Sequence, residues 1–302
     1  MNIIFDTDIG TDVDDCLALA FVLGSPEFNL LGVTCVYGDV LLRARMVRKL
    51  LQLRGRSDIP VYAGTSRTLL GLRSIYWEGH EGEGLLTEED AELAPETEHA
   101  VDYLIRTVME RPGEIHLLAI GPLTNVALAL VREPRLASAL AGITIMGGVA
   151  RGIERLDLPV VEHNIICDPE AAQIVLGSGA PITLVPLDVT TCVSIRTADA
   201  ARIRAGGTAY HAAVAEQVER YPRFARQGST FLHDPLAAAI MLRPELVTFQ
   251  SLHVDVETSG RLTTGATIMR APSEKHPATA RVALGVDIAA AEAFVIERAA
   301  AT

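Results

Sequence analysis

The chain has 302 residues, 26 of them Lys or Arg and 38 Asp or Glu, giving a formal charge of −12 at pH 7. Hydrophobic residues make up 49%, enough apolar surface to offset ordering entropy, so general disorder is excluded. The acidic balance argues against a partner that is a nucleic acid polymer, and no apolar run reaches the roughly 18 residues a membrane span needs.

The N-terminal MNIIFDTD lacks the basic flank and apolar core of a signal peptide, so a cytoplasmic protein is expected. In chain order, Asn2–Asp8 reads as a buried strand around Ile3, Ile4 and Phe5. Asp14–Leu23 reads as a helix with Leu17, Ala18, Phe21 and Val22 inward. Leu30–Val36 is strand-like, and Leu41–Leu53 is helical with basic residues on one face. The stretch Gly64–Thr97 is rich in Gly and Glu with little periodicity, the mark of a functional or mobile loop. Ile115–Ile120 is a second apolar run, followed by a helix over Leu123–Val131. Ile143–Met146 is a strand ending in Gly147-Gly148, Pro169–Leu176 a helix, and Ile182–Val185 a strand. Near the C-terminus, HVDVETSGRLTTGATIM predicts two strands around a Ser259-Gly260 turn. This alternation predicts an α/β fold, an open, mostly parallel, Rossmann-like sheet with helices on both faces. No linker or repeat divides the chain, so residues 1–302 read as a single domain.

Cys16, Cys35, Cys167 and Cys192 form no CxxC pair, so neither a disulfide framework nor a zinc site is expected. The histidines at 99, 116, 211, 253 and 276 sit in no constellation and are assigned to structure or surface.

The chemistry concentrates after the first strand. Asp6, Asp8, Asp12, Asp14 and Asp15 put five carboxylates within ten residues. Open α/β sheets bind ligands beyond the carboxyl ends of their strands. A helix start accounts for one or two acidic residues, and five call for a hard cation with oxygen ligands. No Glu follows at EF-hand spacing. Asp6, Asp8 and Thr11 also fit the DxDxxT start of a haloacid-dehalogenase-type phosphatase, although the few lysines lie in unpromising contexts. Further along, GPLTN at 121–125 forms a strand-to-helix turn. Glu162-His163-Asn164 spaces a carboxylate and an amide for hydroxyl recognition. Asp168 before Pro169 reads as a helix cap, and His233-Asp234 offers a proton donor and a ligand at a helix start.

Together, DTDIGTDVDD, YGD, GHEGEG, GPLTN, MGG, EHN, DPEAA, HDPLA and LTTG, in this order, strongly resemble the inosine–uridine-preferring nucleoside hydrolases. The resemblance implies Ca²⁺-dependent hydrolysis of the N-glycosidic bond of ribonucleosides by a homo-oligomer, a tetramer or dimer. It implies that Asp8, Asp15, the carbonyl of Ile120 and Asp234 hold the metal, with Asp8 also the base. Asp14 and Asn164 would hold the ribose 2′- and 3′-hydroxyls and Glu162 the 5′-hydroxyl, while His80 and His233 would face the base. His233 would be the leaving-group acid. Asp12 belongs to a turn two residues longer than the shortest family pattern and is assigned no ligand role. Asp39 stands where the family often has Asn after Tyr-Gly, and is placed among the substrate-binding residues. Leu156 stands where an Asn commonly helps grip the 5′-hydroxyl. Either the loop Arg151–Val161 is shifted in register or the 5′ end of the substrate differs. Leu156 also keeps open a non-catalytic, calcium-dependent ribose or nucleoside binder. Tyr221 and Phe224 either line the base pocket or pack a helix.

Overall fold

A computed structural model describes residues 1–150 and 155–301. Its strands are β1 (Asn2–Thr7), β2 (Asn29–Cys35), β3 (Val61–Ala63), β4 (Ile115–Ala119), β5 (Gly142–Met146) and β6 (Ile182–Val185). They continue as β7 (Ser194–Arg196), β8 (Ser229–Phe231), β9 (Val247–Val256), β10 (Thr267–Arg270) and β11 (Ala280–Val286). Nine of them form one sheet in the order β10-β9-β11-β6-β5-β4-β1-β2-β3. From β3 to β11 every pairing is parallel, while β9 and β10 close one edge antiparallel. The α/β architecture and mostly parallel sheet match the predicted alternation. Strands β7 and β8 form a separate antiparallel ribbon.

The continuous apolar runs are explained by cover on both faces. In β1, Ile3 and Phe5 join one hydrophobic cluster and Ile4 the other. The first cluster packs the helices Asp14–Leu23, Val40–Leu53, Ala209–Arg220, His233–Leu242 and Ile288–Ala299 onto one face. The second packs Ala100–Glu110, Thr124–Arg132 and Pro169–Leu176 onto the other. The C-terminal hairpin is present, with Val256 opposite Thr267. No described helix is long and apolar enough to cross a membrane. All four cysteines are free.

The strand order gives the acidic turn its position, because β1 lies between β4 and β2. The carboxyl ends of these neighbours therefore open into one crevice, and the turn after β1 sits at its centre. Between Ala63 and Ala100 the only regular element is a short 3-10 turn at Glu88–Glu92. This long segment is tied down at several points. Asp168 caps Pro169–Leu176 through the N–H of Ala171 at 3.2 Å. Its other oxygen accepts from the N–H of Leu69 at 2.8 Å and the hydroxyl of Thr124 at 2.7 Å. Fully buried, Asp168 thus joins the long loop, the GPLTN helix and its own helix. Asp168→Ala removes a cap and leaves buried donors unpaired. We expect a loss of about 2–4 kcal/mol, measured by urea denaturation; a loss under about 0.5 kcal/mol would contradict this bracing role.

Candidate active site

Two helix starts build the acidic cluster. Asp14 and Asp15 occupy the first turn of Asp14–Leu23, and Asp234 the first turn of His233–Leu242. Both helices are apolar nearly all round, and they pack against each other within one core. Their N-termini therefore meet, and the backbone dipoles there favour carboxylates. Asp14, Asp15 and Asp234 each present an oxygen, and these atoms lie within 4.8 Å of one another. All three are buried.

The cluster opens into a cavity of about 600 Å³. Asp8, Asp12, Asp14, Asp15, His80, Ile120, Glu162, Asn164, His233 and Asp234 all line it, so residues far apart in sequence come together. The three-oxygen cluster includes Asp14, which the sequence reading assigns to ribose. Asp8 shares the cavity but, at the end of β1, stands outside that group of three. Gly121 makes room for it: a Cβ there would lie 2.8 Å from Asp8 Oδ1.

Burial foremost, then mutual repulsion, drives the carboxyls of Asp14 and Asp234 well above their ordinary range. Asp15 is raised in the same way, with Thr7 and Arg43 opposing. Asp8 is raised by burial and lowered in part by Arg43 and His163. Such a set, all oxygen and rich in negative charge, fits a hard divalent cation.

The protein's own counter-charge is Arg43, fully buried under the turn. Its guanidinium donates to the carbonyls of Asp8 and of Ile9 (2.7 Å), to Tyr37 O at 2.6 Å and to Thr11 Oγ1 at 3.2 Å. The sequence reading saw Arg43 only as part of a basic helix face. Tyr37 is the one described non-glycine residue with positive φ, at 68°. This strained conformation aims its carbonyl at Arg43, and its hydroxyl accepts from Tyr76 N at 2.8 Å.

The tip of the long loop docks on the acidic turn. Glu81 accepts from the N–H groups of Glu78 (2.9 Å) and Gly79 (2.7 Å) and from the Thr11 hydroxyl at 3.2 Å. His80 Nε2 lies 3.1 Å from the Thr11 carbonyl. Glu81 is thus a bracing residue that sequence reasoning missed.

On the opposite rim, Asn164 Nδ2 donates to the Ile120 carbonyl at 2.7 Å. Glu162 caps the helix His163–Cys167, accepting from the N–H groups of Asn164, Ile165 and Gly148 at 2.7, 3.1 and 3.1 Å. The EHN segment is therefore a capped helix start. His163, given no role from sequence, also lines the cavity. His233 Nδ1 lies 2.7 Å from Thr190 Oγ1. Burial lowers the His233 pKa to about 4, with Asp12 opposing and Arg223 assisting.

Several expectations change. Asp39 does not line the cavity: it is exposed and caps Val40–Leu53, accepting from the N–H groups of Leu41 and Leu42. Asp12 acquires a role, accepting from the Tyr221 hydroxyl at 2.7 Å. Tyr221 lines the cavity, while Phe224 belongs to the core. Leu156 is 66% exposed and absent from the cavity wall. Of the loop proposed to shift register, residues 151–154 lie outside the described residues. The phosphatase reading fails on access. Its nucleophile would be Asp6, which is fully buried, bonded to Asn125 and Thr34, and raised by burial to about 7.

A sequence model of the family described as inosine-uridine preferring nucleoside hydrolase matches residues 3–293. The pyrimidine-specific ribonucleoside hydrolase RihA of Citrobacter koseri is 38% identical over 278 residues, covering 89% of this chain and 88% of its own. A purine-preferring ribonucleoside hydrolase from Gardnerella vaginalis superposes with a TM-score of 0.88 at 31% identity, covering 99% of this chain and 98% of its own. A plant nucleoside hydrolase superposes with a TM-score of 0.88 at 30% identity, covering 100% and 99%.

The clustered carboxyls bind protons more tightly in the folded chain than in the unfolded one. Their stabilising contribution is fully present below the unfolded value of about 4 and is lost as pH rises through the raised native values. A cation that neutralises them recovers the loss. The gain in Tm on adding Ca²⁺ is therefore expected to grow as pH rises above the ordinary carboxylate range of about 4. Calorimetry with and without chelator reads this, and a gain independent of pH would count against a cation at this cluster.

Proposed function

The chain belongs to the inosine–uridine-preferring nucleoside hydrolase family, and on that premise we propose that Ca²⁺ is its cofactor and that it releases free base and ribose from ribonucleosides. The observation that carries this reading is the buried oxygen cluster of Asp14, Asp15 and Asp234, opening into the cavity that Asp8 and His233 also line.

Cleavage of an N-glycosidic bond passes through an oxocarbenium-like state, with positive charge on the sugar. Carboxylates along the cavity stabilise that charge as it forms. Asp8, Asp15, Asp234 and the Ile120 carbonyl would hold the cation. The Ile120 oxygen already accepts from Asn164 and keeps a second lone pair. Asp14 contributes one oxygen to the cluster, and its other remains for a ribose hydroxyl. When bound, the cation supplies charge that acidifies and steadies a water molecule.

The remaining steps belong to side chains. Asp8 takes a proton from the attacking water. Asp14 and Asn164 hold the 2′- and 3′-hydroxyls, and Glu162 the 5′-hydroxyl. His80 and His233 face the base. His233 rests neutral because burial disfavours its charged form. Negative charge building on the leaving nitrogen draws a proton from solvent onto the ring and then onto the base. General acid catalysis of this kind contributes about 10²–10⁴-fold.

Uridine and inosine, assayed for released base, should be hydrolysed, with activity lost in chelator and restored by Ca²⁺. Deoxyuridine should be turned over at least about 10-fold more slowly, since buried partners of the 2′-hydroxyl are left unpaired. Equal rates on uridine and deoxyuridine would overturn the hydroxyl assignments. His233→Ala should lower kcat on uridine by about 10²-fold while the Tm gain with Ca²⁺ stays. Unchanged kcat would remove His233 from the mechanism.

A further inference from the structure

Arg223 and Arg226, on the helix Pro222–Gln227, line the same cavity as the carboxylates. Three arginines around this part of the molecule are paired: Arg73 with Glu170 at 3.0 Å, Arg155 with Asp157 at 3.2 Å and Arg220 with Glu216 at 2.8 Å. Among the described residues Arg226, like Arg223, is not, but it is exposed. Among the described residues Arg223 has no ion-pair partner, and its Nε is buried without a hydrogen bond. An acidic protein that leaves a guanidinium unpaired beside its most acidic cavity maintains an uncommitted donor. The side chain is also held in place. It stacks over the Phe231 ring at 4.0 Å, and Phe231 meets the His233 ring edge-on with centroids 5.2 Å apart.

Heterolysis of a glycosidic bond separates charge, leaving the sugar positive and the base negative. The cavity carries fixed charge of both signs, carboxylates from the two helix starts and a guanidinium beside the residue that faces the base. Preorganised charge of this kind is a large source of rate enhancement. We propose that Arg223 is a catalytic residue for the leaving group, its guanidinium gripping the departing base and stabilising the negative charge that develops there. The inference rests on the nucleoside hydrolase reading and deepens it. The C1′–N bond breaks with both electrons on the base nitrogen. The water oxygen bonds to C1′ and its proton passes to Asp8, while a proton from solvent reaches the base nitrogen by way of His233, whose ring ends neutral as it began. Arg223 keeps its protons throughout, because a guanidinium does not ionise near neutral pH.

The test compares leaving groups. Arg223→Gln should lower kcat on uridine and inosine by about 10²-fold, yet change kcat on a p-nitrophenyl riboside less than about 3-fold, because nitrophenolate departs without help. KM should move little on either substrate, and Arg223→Lys should recover part of the loss. Retention of the Ca²⁺-induced Tm gain in Arg223→Gln will show that the fold and cluster are intact. Equal losses on both kinds of substrate would make Arg223 structural, and no loss on either would overturn the proposal. An equal loss from Arg226→Gln, at the exposed cation three residues on, would replace a specific contact by a diffuse field and overturn the assignment. If the unaltered enzyme hydrolyses neither nucleosides nor the nitrophenyl riboside, it is the nucleoside hydrolase reading that fails.

Discussion

Burying Asp8, Asp14, Asp15 and Asp234 around one cavity sets like charges against each other where water screens them least. Each would be tolerable at the surface, and together they are not. Much of the architecture answers this strain. Two helices of continuous apolar composition bring their N-terminal dipoles to the same point. Arg43 lies beneath the turn, holding its carbonyls and moderating Asp8 and Asp15. The negative charge that one arginine leaves uncompensated suits a hard divalent cation.

The same arrangement gives the cavity its direction. Its carboxylates come from the acidic turn and the helix starts, and its guanidinium groups, Arg223 and Arg226, from the helix after Tyr221. Tyr221 joins the two regions through its bond to Asp12. Thr11 and Asp12 of the acidic turn thus become part of the wall. The long loop is seated on the same turn through Thr11, which meets Arg43, Glu81 and His80 at once. Acidic turn, long loop and cavity wall are one connected structure.

Local pattern made part of this legible. The strand β1, the helix Asp14–Leu23 and the Asp168 cap each carry a signal within a few residues. The central parallel strands can be read from apolar runs of the expected length. Strands β3, β7 and β8 are three residues each, too short for any periodicity, and exist because neighbours pair with them. The clustering of Asp14 with Asp234 depends on helix packing across more than two hundred residues, which spacing cannot express. Glu162 and Asn164 were visible as a motif, but their helical start was not. Asp39 misled because a helix cap and a ligand contact use the same residue type. Arg43 and Glu81 carry no motif of their own; their importance comes from the backbone groups that the fold delivers to them.

The protein holds a single tryptophan, and it lies in the long loop. Trp77 lies over the Arg43 guanidinium at 5.0 Å and against Gly38, where a Cβ would come within 2.9 Å of its ring. An indole so placed has its emission set by the charge of Arg43 and by its contact with the backbone at Gly38. The molecule therefore carries an optical gauge of loop seating, readable in the unlabelled chain against a background of other aromatics that emit little.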